Sequence, residues 1–121
     1  MRVRIVVASA ALLMATSALL AAPAGRLAPK EIQALFFTGQ PFTASTPANV
    51  KFKMVFMPEG TMTREPLAKT GSKSEGTWKL SQDGFCSTWK GSKQNCYRVQ
   101  ESGANKWAVI VSTQAVAYWS K

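Results

Sequence analysis

The sequence predicts a mainly β domain: an antiparallel meander of seven or eight strands, forming a small barrel or sandwich, with one short N-terminal α-helix. Three observations lead there. From Val50 onward apolar residues recur with period two. Turn-forming steps interrupt them at short, regular intervals. Two cysteines, Cys86 and Cys96, are spaced to face each other across a hairpin. The chain has 121 residues, enough for one domain, and at 46% hydrophobic and 17% charged its composition is that of a globular protein.

Residues 1–24 read as a secretory signal peptide rather than as part of the fold. Arg2 and Arg4 supply a positive start, Ile5 to Ala22 a run of apolar and small residues, and Ala22-Pro23-Ala24 a small-x-small cleavage site. Cleavage after Ala24 leaves residues 25–121 as a single domain and places it in the periplasm or outside the cell. No cysteine follows the run, so it does not read as a lipoprotein anchor, and contact with a membrane is expected only through an uncleaved signal. Loss of Arg2 and Arg4 takes the formal charge from +9 to +7. Export permits a disulfide, so Cys86 and Cys96 are expected to pair.

Leu27 to Phe36 is the helix candidate. Pro29 suits the first turn, Glu31 favours the positive end of the helix dipole, and Ile32, Leu35 and Phe36 form an apolar stripe. So short a helix must dock on something. The expected partner is the outer face of Trp107 to Ser112, a strand apolar on both sides. A short extended piece lies near Phe42. Val50, Phe52, Met54 and Phe56 then alternate with Lys51 and Lys53, giving a strand with one wet face.

Pro58-Glu59-Gly60 turns the chain, and Thr61 to Arg64 pairs back. Residues 65–76 form the longest polar loop. Thr77 to Leu80 is a strand, Asp83-Gly84 a hairpin signal, and Phe85 to Trp89 and Asn95 to Val99 the next two strands. Ser102 to Asn105 and Ser112 to Gln114 turn the chain around Trp107 to Val111, and Ala115 to Trp119 is the last strand. If Cys86 faces Cys96, then Phe85 faces Tyr97, Ser87 faces Asn95 and Trp89 faces Lys93. Phe85, Trp89, Tyr97 and Val99 then share one face and the cysteines the other. Directly opposed residues at a non-hydrogen-bonded position have Cα atoms about 4.5 Å apart, within reach of a disulfide. Trp78, Trp107, Phe52, Phe56 and Tyr97 are expected inside, and their bulk predicts a filled interior.

Catalytic chemistry finds little to work with. There is no histidine, which excludes His-based triads, Cys–His dyads and HExxH metal sites. Two cysteines alone do not make a structural zinc site. Asp83 and Glu59 sit in turns, Glu65, Glu75 and Glu101 in or beside loops, and no Gly-rich phosphate loop or nucleophile elbow is present. The expectation is a non-enzymatic protein with no cofactor and no metal.

The basic excess is the feature that asks for a partner. Lys51, Lys53, Lys69, Lys73, Lys90 and Lys93 are the candidate anion-binding residues, for an anionic envelope component such as lipopolysaccharide, lipid headgroups or cell-wall polymer; no specific nucleic acid is expected. Scattered along the chain, they also fit a solvated surface with the tryptophans in the core. A carrier of a small apolar ligand is a further alternative.

Several segments together resemble small exported proteobacterial proteins of unknown function, of the DUF995 type. They are Ala28 to Phe36 with Gly39, Phe56 to Thr61, Gly76-Thr77-Trp78, Cys86 to Trp89 and Cys96 to Val99. The resemblance implies a periplasmic β-rich domain with one disulfide and carries no catalytic residue across. The Lys-rich loop departs from that pattern. Gly76-Thr77-Trp78 also resembles the Gly-x-Trp strand start of lipocalin- and avidin-type barrels. By architecture this suggests a second alternative, an inhibitor of an exported protease with residues 25–30 as the blocking arm.

Overall fold

The computed structural model describes residues 25–68 and 70–121; the signal-peptide reading and Lys69 lie outside them. Helix α1 (Pro29–Phe36) is followed by eight strands: β1 (Phe42–Ser45), β2 (Lys51–Phe56), β3 (Thr61–Pro66), β4 (Ser74–Leu80), β5 (Phe85–Trp89), β6 (Asn95–Glu101), β7 (Lys106–Val111) and β8 (Gln114–Ser120). Each strand pairs antiparallel with the next, and β8 pairs back with β1, so the sheet closes into an up-and-down barrel. Closure leaves no long unpaired edge, which matters for a sheet of mostly short strands.

Period-two alternation decides what faces inward. Across β2 and β3 the pairs Phe52↔Pro66, Met54↔Arg64 and Phe56↔Met62 share the inner face, with Lys53↔Glu65 outside. The cysteine hairpin has the predicted register, Phe85↔Tyr97, Cys86↔Cys96 and Ser87↔Asn95. The disulfide spans a Cα–Cα distance of 3.9 Å. Trp89 does not face Lys93: pairing of β5 with β6 stops at Ser87, the chain turns as Ser92 N–H donates to the Trp89 carbonyl, and Trp89 pairs across β4 with Gly76. At Gly76 a Cβ would lie 2.4 Å from the Thr88 carbonyl oxygen, so the inner face there accepts only glycine.

The helix corrects the predicted packing. It begins at Pro29, with the Ala28 N–H held by Glu31 Oε1 at 2.7 Å. Ile32 and Phe36 are buried, but Leu35 is exposed and Phe37, one residue past the helix, is buried instead. The helix does not cover the outside of β7. It plugs one end of the barrel: Phe36 meets the inward ring of Trp107 at 4.9 Å and Trp119 at 4.8 Å, while Phe37 stacks on Phe56 at 4.6 Å and meets Trp78 at 4.4 Å. A stripe of two residues plus Phe37 fits a round opening better than a flat sheet face. The Lys121 ammonium donates to the Leu35 carbonyl, placing a cation at the negative end of the helix dipole.

The predicted 65–76 loop is also shorter than expected. Glu65 and Pro66 extend β3, and Ser74 to Gly76 extend β4 through Thr63↔Glu75 and Arg64↔Ser74, so only residues 67–73 connect them. Polar side chains on the outside of a closed barrel look like loop in sequence but still pair through their backbone.

Candidate functional site

The two ends of the barrel differ. At the plugged end lie α1 and the turns at 57–60, 81–84 and 102–105. At the open end lie the turns at 46–50, 90–94 and 112–113 and the 67–73 loop. Lys51 opens β2, Lys73 closes the 67–73 loop, and Lys90 and Lys93 stand in the 90–94 turn. Lysines from separate parts of the sequence therefore share one rim. Lys53 sits one step below it on the outer face of β2, 3.8 Å from Glu65. The carboxylates at this end are Glu65 and Glu75. The plugged end mixes Arg26, Lys30, Lys79, Lys106 and Lys121 with Glu31, Glu59, Asp83 and Glu101, so the positive excess falls mainly on the open rim.

Apolar side chains accompany the lysines. Val50 (49% exposed), Leu67 (56%), Val111 and Val116 all stand at the open end. The Leu67 N–H donates to the Lys51 carbonyl, which puts Leu67, Val50 and Lys51 side by side. Exposed aliphatic side chains scattered singly need no explanation; a set at one rim among cations does.

Inside the rim the barrel is hollow, which corrects the expectation of a filled interior. Trp78, Trp107, Phe52, Phe56 and Tyr97 do face inward, but their bulk is unevenly spread. Trp78 and Trp107 pack against the plug, whereas a cavity of about 210 Å³ occupies the open half, walled by Phe52, Met54, Phe85, Trp89, Tyr97 and Val109 among others. Ser87, 5% exposed and the one buried polar residue among those described, lies in its wall.

Arg64 stands at the boundary of this cavity, and sequence reasoning missed it. Being in phase with Met62, it belongs to the inner face of β3. Its guanidinium lies 4.4 Å from the centre of the Trp89 ring and 5.4 Å from that of Phe52. Arg64 and Trp89 also line a neighbouring groove of about 440 Å³ with Lys73, Ser74, Glu75 and Lys90. The Lys90 N–H donates to the Glu75 carbonyl at 2.9 Å, which ties the turn to β4 and fixes the groove's floor.

The carboxylates are dispersed around the barrel. Asp83 lies 3.7 Å from Arg26, Glu59 accepts the Thr61 hydroxyl at 2.7 Å, and Glu31 caps the helix. Among the described residues no three His, Cys, Asp or Glu side chains gather where they could hold a metal ion. Residues 25–30 are not a loose arm: Glu101 N–H donates to the Gly25 carbonyl, Leu27 N–H to the Val99 carbonyl, Leu27 is buried, and Pro29 and Lys30 belong to α1. No described helix is long and apolar enough to cross a membrane.

Comparison with protein-family models, curated proteins and solved structures yields no match to this chain.

Proposed function

We propose that this is an exported, non-enzymatic envelope protein that docks its open rim on an anionic lipid surface. The observation that carries the reading is the shared position of Lys51, Lys73, Lys90 and Lys93 with Val50, Leu67, Val111 and Val116 at one end of the barrel. A rim lysine near an anionic bilayer contributes about 1 kcal/mol, and apolar area removed from water about 25 cal/mol per Å². The combination favours a lipid surface over a purely polar polyanion, which offers nothing to the exposed aliphatic groups. The disulfide and the apolar first segment support export.

Co-sedimentation with vesicles tests this. The protein is expected to bind phosphatidylcholine vesicles containing phosphatidylglycerol, to ignore phosphatidylcholine alone, and to be released near 1 M salt, where the screening length is about 3 Å. Reversing Lys51, Lys73 and Lys90 to Glu should abolish binding, and Leu67→Ser should weaken it. Equal binding to the zwitterionic vesicles would sink the reading. So would retention on heparin without vesicle binding.

A further inference from the structure

We propose that the open half of the barrel is a binding cup for one small amphiphile, with an apolar body and a single anionic head, and that Arg64 selects the head. The inference is independent of how the rim meets a surface, because it rests on the inner face alone.

The first observation is a charge where the pattern calls for an apolar residue. Arg64 lies between Met62 and Pro66 on the inner face of β3, opposite Met54. A charge brought against apolar walls is costly unless a partner compensates it. The ion pairs among the described residues are Arg26–Asp83 and Lys53–Glu65, and neither uses Arg64. What holds it is cation–π contact with the rings of Trp89 and Phe52. Aromatic faces offset the charge without taking up the guanidinium's N–H donors, none of which makes a hydrogen bond among the described residues. A planar fork of donors held in this way is suited to a carboxylate or a phosphate ester, which it can grip through two parallel hydrogen bonds.

The second observation is size and lining. At about 210 Å³ the cavity exceeds the roughly 150 Å³ void that accepts benzene, and falls below the roughly 300 Å³ at which pockets for drug-sized molecules begin. Its walls are mainly aromatic and aliphatic; Ser45, Thr46 and Ser87 add hydroxyls, and among the described residues Arg64 is the one charged residue lining it. The body that fits is thus a single ring or a short acyl chain. Lys73, Lys90 and Glu75 lie in the groove beyond Arg64 and do not line the cavity itself. The geometry points to one negative charge seated at Arg64, with the body directed towards Phe85 and Val109.

Calorimetric titration of the disulfide-intact protein, in the absence of lipid, tests the cup with three probes that share a chain: octanoate, octanol and octylamine. Octanoate is expected to bind one to one, at least tenfold tighter than octanol, with octylamine weakest. Arg64→Met should weaken octanoate at least tenfold and leave octanol unchanged, because a charged hydrogen-bonded contact is lost while the apolar wall is kept. Ala117→Phe, which places a ring in the cavity, should remove binding of both. If that variant does not fold, Val116→Trp at the mouth serves the same purpose. Octanol binding as tightly as octanoate, Arg64→Met leaving octanoate unchanged, or no saturable octanoate binding would each overturn the proposal. Vesicle docking is read separately. Arg64→Met should retain most of it, and Lys51→Glu, at a rim residue that lines neither the cavity nor the groove, should weaken docking while leaving one-to-one octanoate binding in place.

Discussion

The plugged and open ends are made by the same eight strands, yet they divide the work of the molecule. From the plugged end to the floor of the cavity, Phe36, Phe37, Phe56, Phe85 and Trp119 form a continuous set of ring contacts with centroid separations from 4.6 to 6.5 Å. The turns at the plugged end are tight, and Gly60 and Gly103 take positive φ angles that other residues adopt only with strain. At the open end the interior is hollow, the longest connection lies on the rim, and cations outnumber carboxylates. A small domain is only marginally stable. Concentrating aromatic burial at one end leaves the other free to carry a cavity, an inward charge and exposed aliphatic groups, none of which favours folding.

This contrast is broken most directly by truncating an aromatic ring at each end. Phe37→Ala removes a fully buried ring from the plug and should destabilise the protein by about 3–5 kcal/mol, a large part of the roughly 5–15 kcal/mol such a domain has. Phe52→Ala removes a half-buried ring from the cup wall, where space already exists, and should cost about half as much or less. Urea denaturation of both variants gives the difference directly. Equal losses would mean that the two ends share the stabilisation evenly.

The disulfide comes next in size. It joins β5 to β6 with a sequence separation of 10 and faces outward, so it touches neither the plug nor the cup. Restricting so short a loop in the unfolded chain is worth about 3 kcal/mol. Replacing both cysteines by serine should lower stability by about that amount while leaving octanoate affinity unchanged under conditions where the variant is folded. Loss of the cup as well would show that the hairpin, rather than the plug, positions Trp89 and Tyr97.

Much of this architecture was legible in the chain. Alternation along Phe52, Met54 and Phe56 identified β2 and its inner face, and the cysteine pair gave the hairpin register near Cys86 residue for residue. What was hidden depends on closure. Lys51, Lys73 and Lys90 are remote in sequence, and only a sheet that returns upon itself brings their turns to one rim. Arg64 was hidden differently. It reads as an ordinary polar strand residue until its phase with Met62 puts it on the inner face, and that phase was the available signal. The helix misled because Phe37, which fills the barrel, lies beyond the last helical turn. The hollow was missed because total aromatic bulk says nothing of its distribution along the barrel axis.

The smallest effect on folding gives the finest test of the rim. Lys53 and Glu65 are 3.8 Å apart, both side chains are about half exposed, and such a pair is worth between about zero and 1 kcal/mol. Glu65→Gln should therefore leave the urea midpoint almost unchanged. It removes one of two carboxylates at the open end, however, and leaves the Lys53 ammonium without its counter-charge. If the rim meets an anionic bilayer, one more uncompensated cation contributes about 1 kcal/mol, or roughly fivefold tighter binding to phosphatidylglycerol-containing vesicles at low salt. The gain should vanish as salt is raised, since both groups lie in solvent. The matching change at the plugged end, Glu59→Gln, alters net charge equally but should leave vesicle affinity where it was. A gain of similar size from both variants would show that attraction follows total charge, and that the open rim holds no special place in docking.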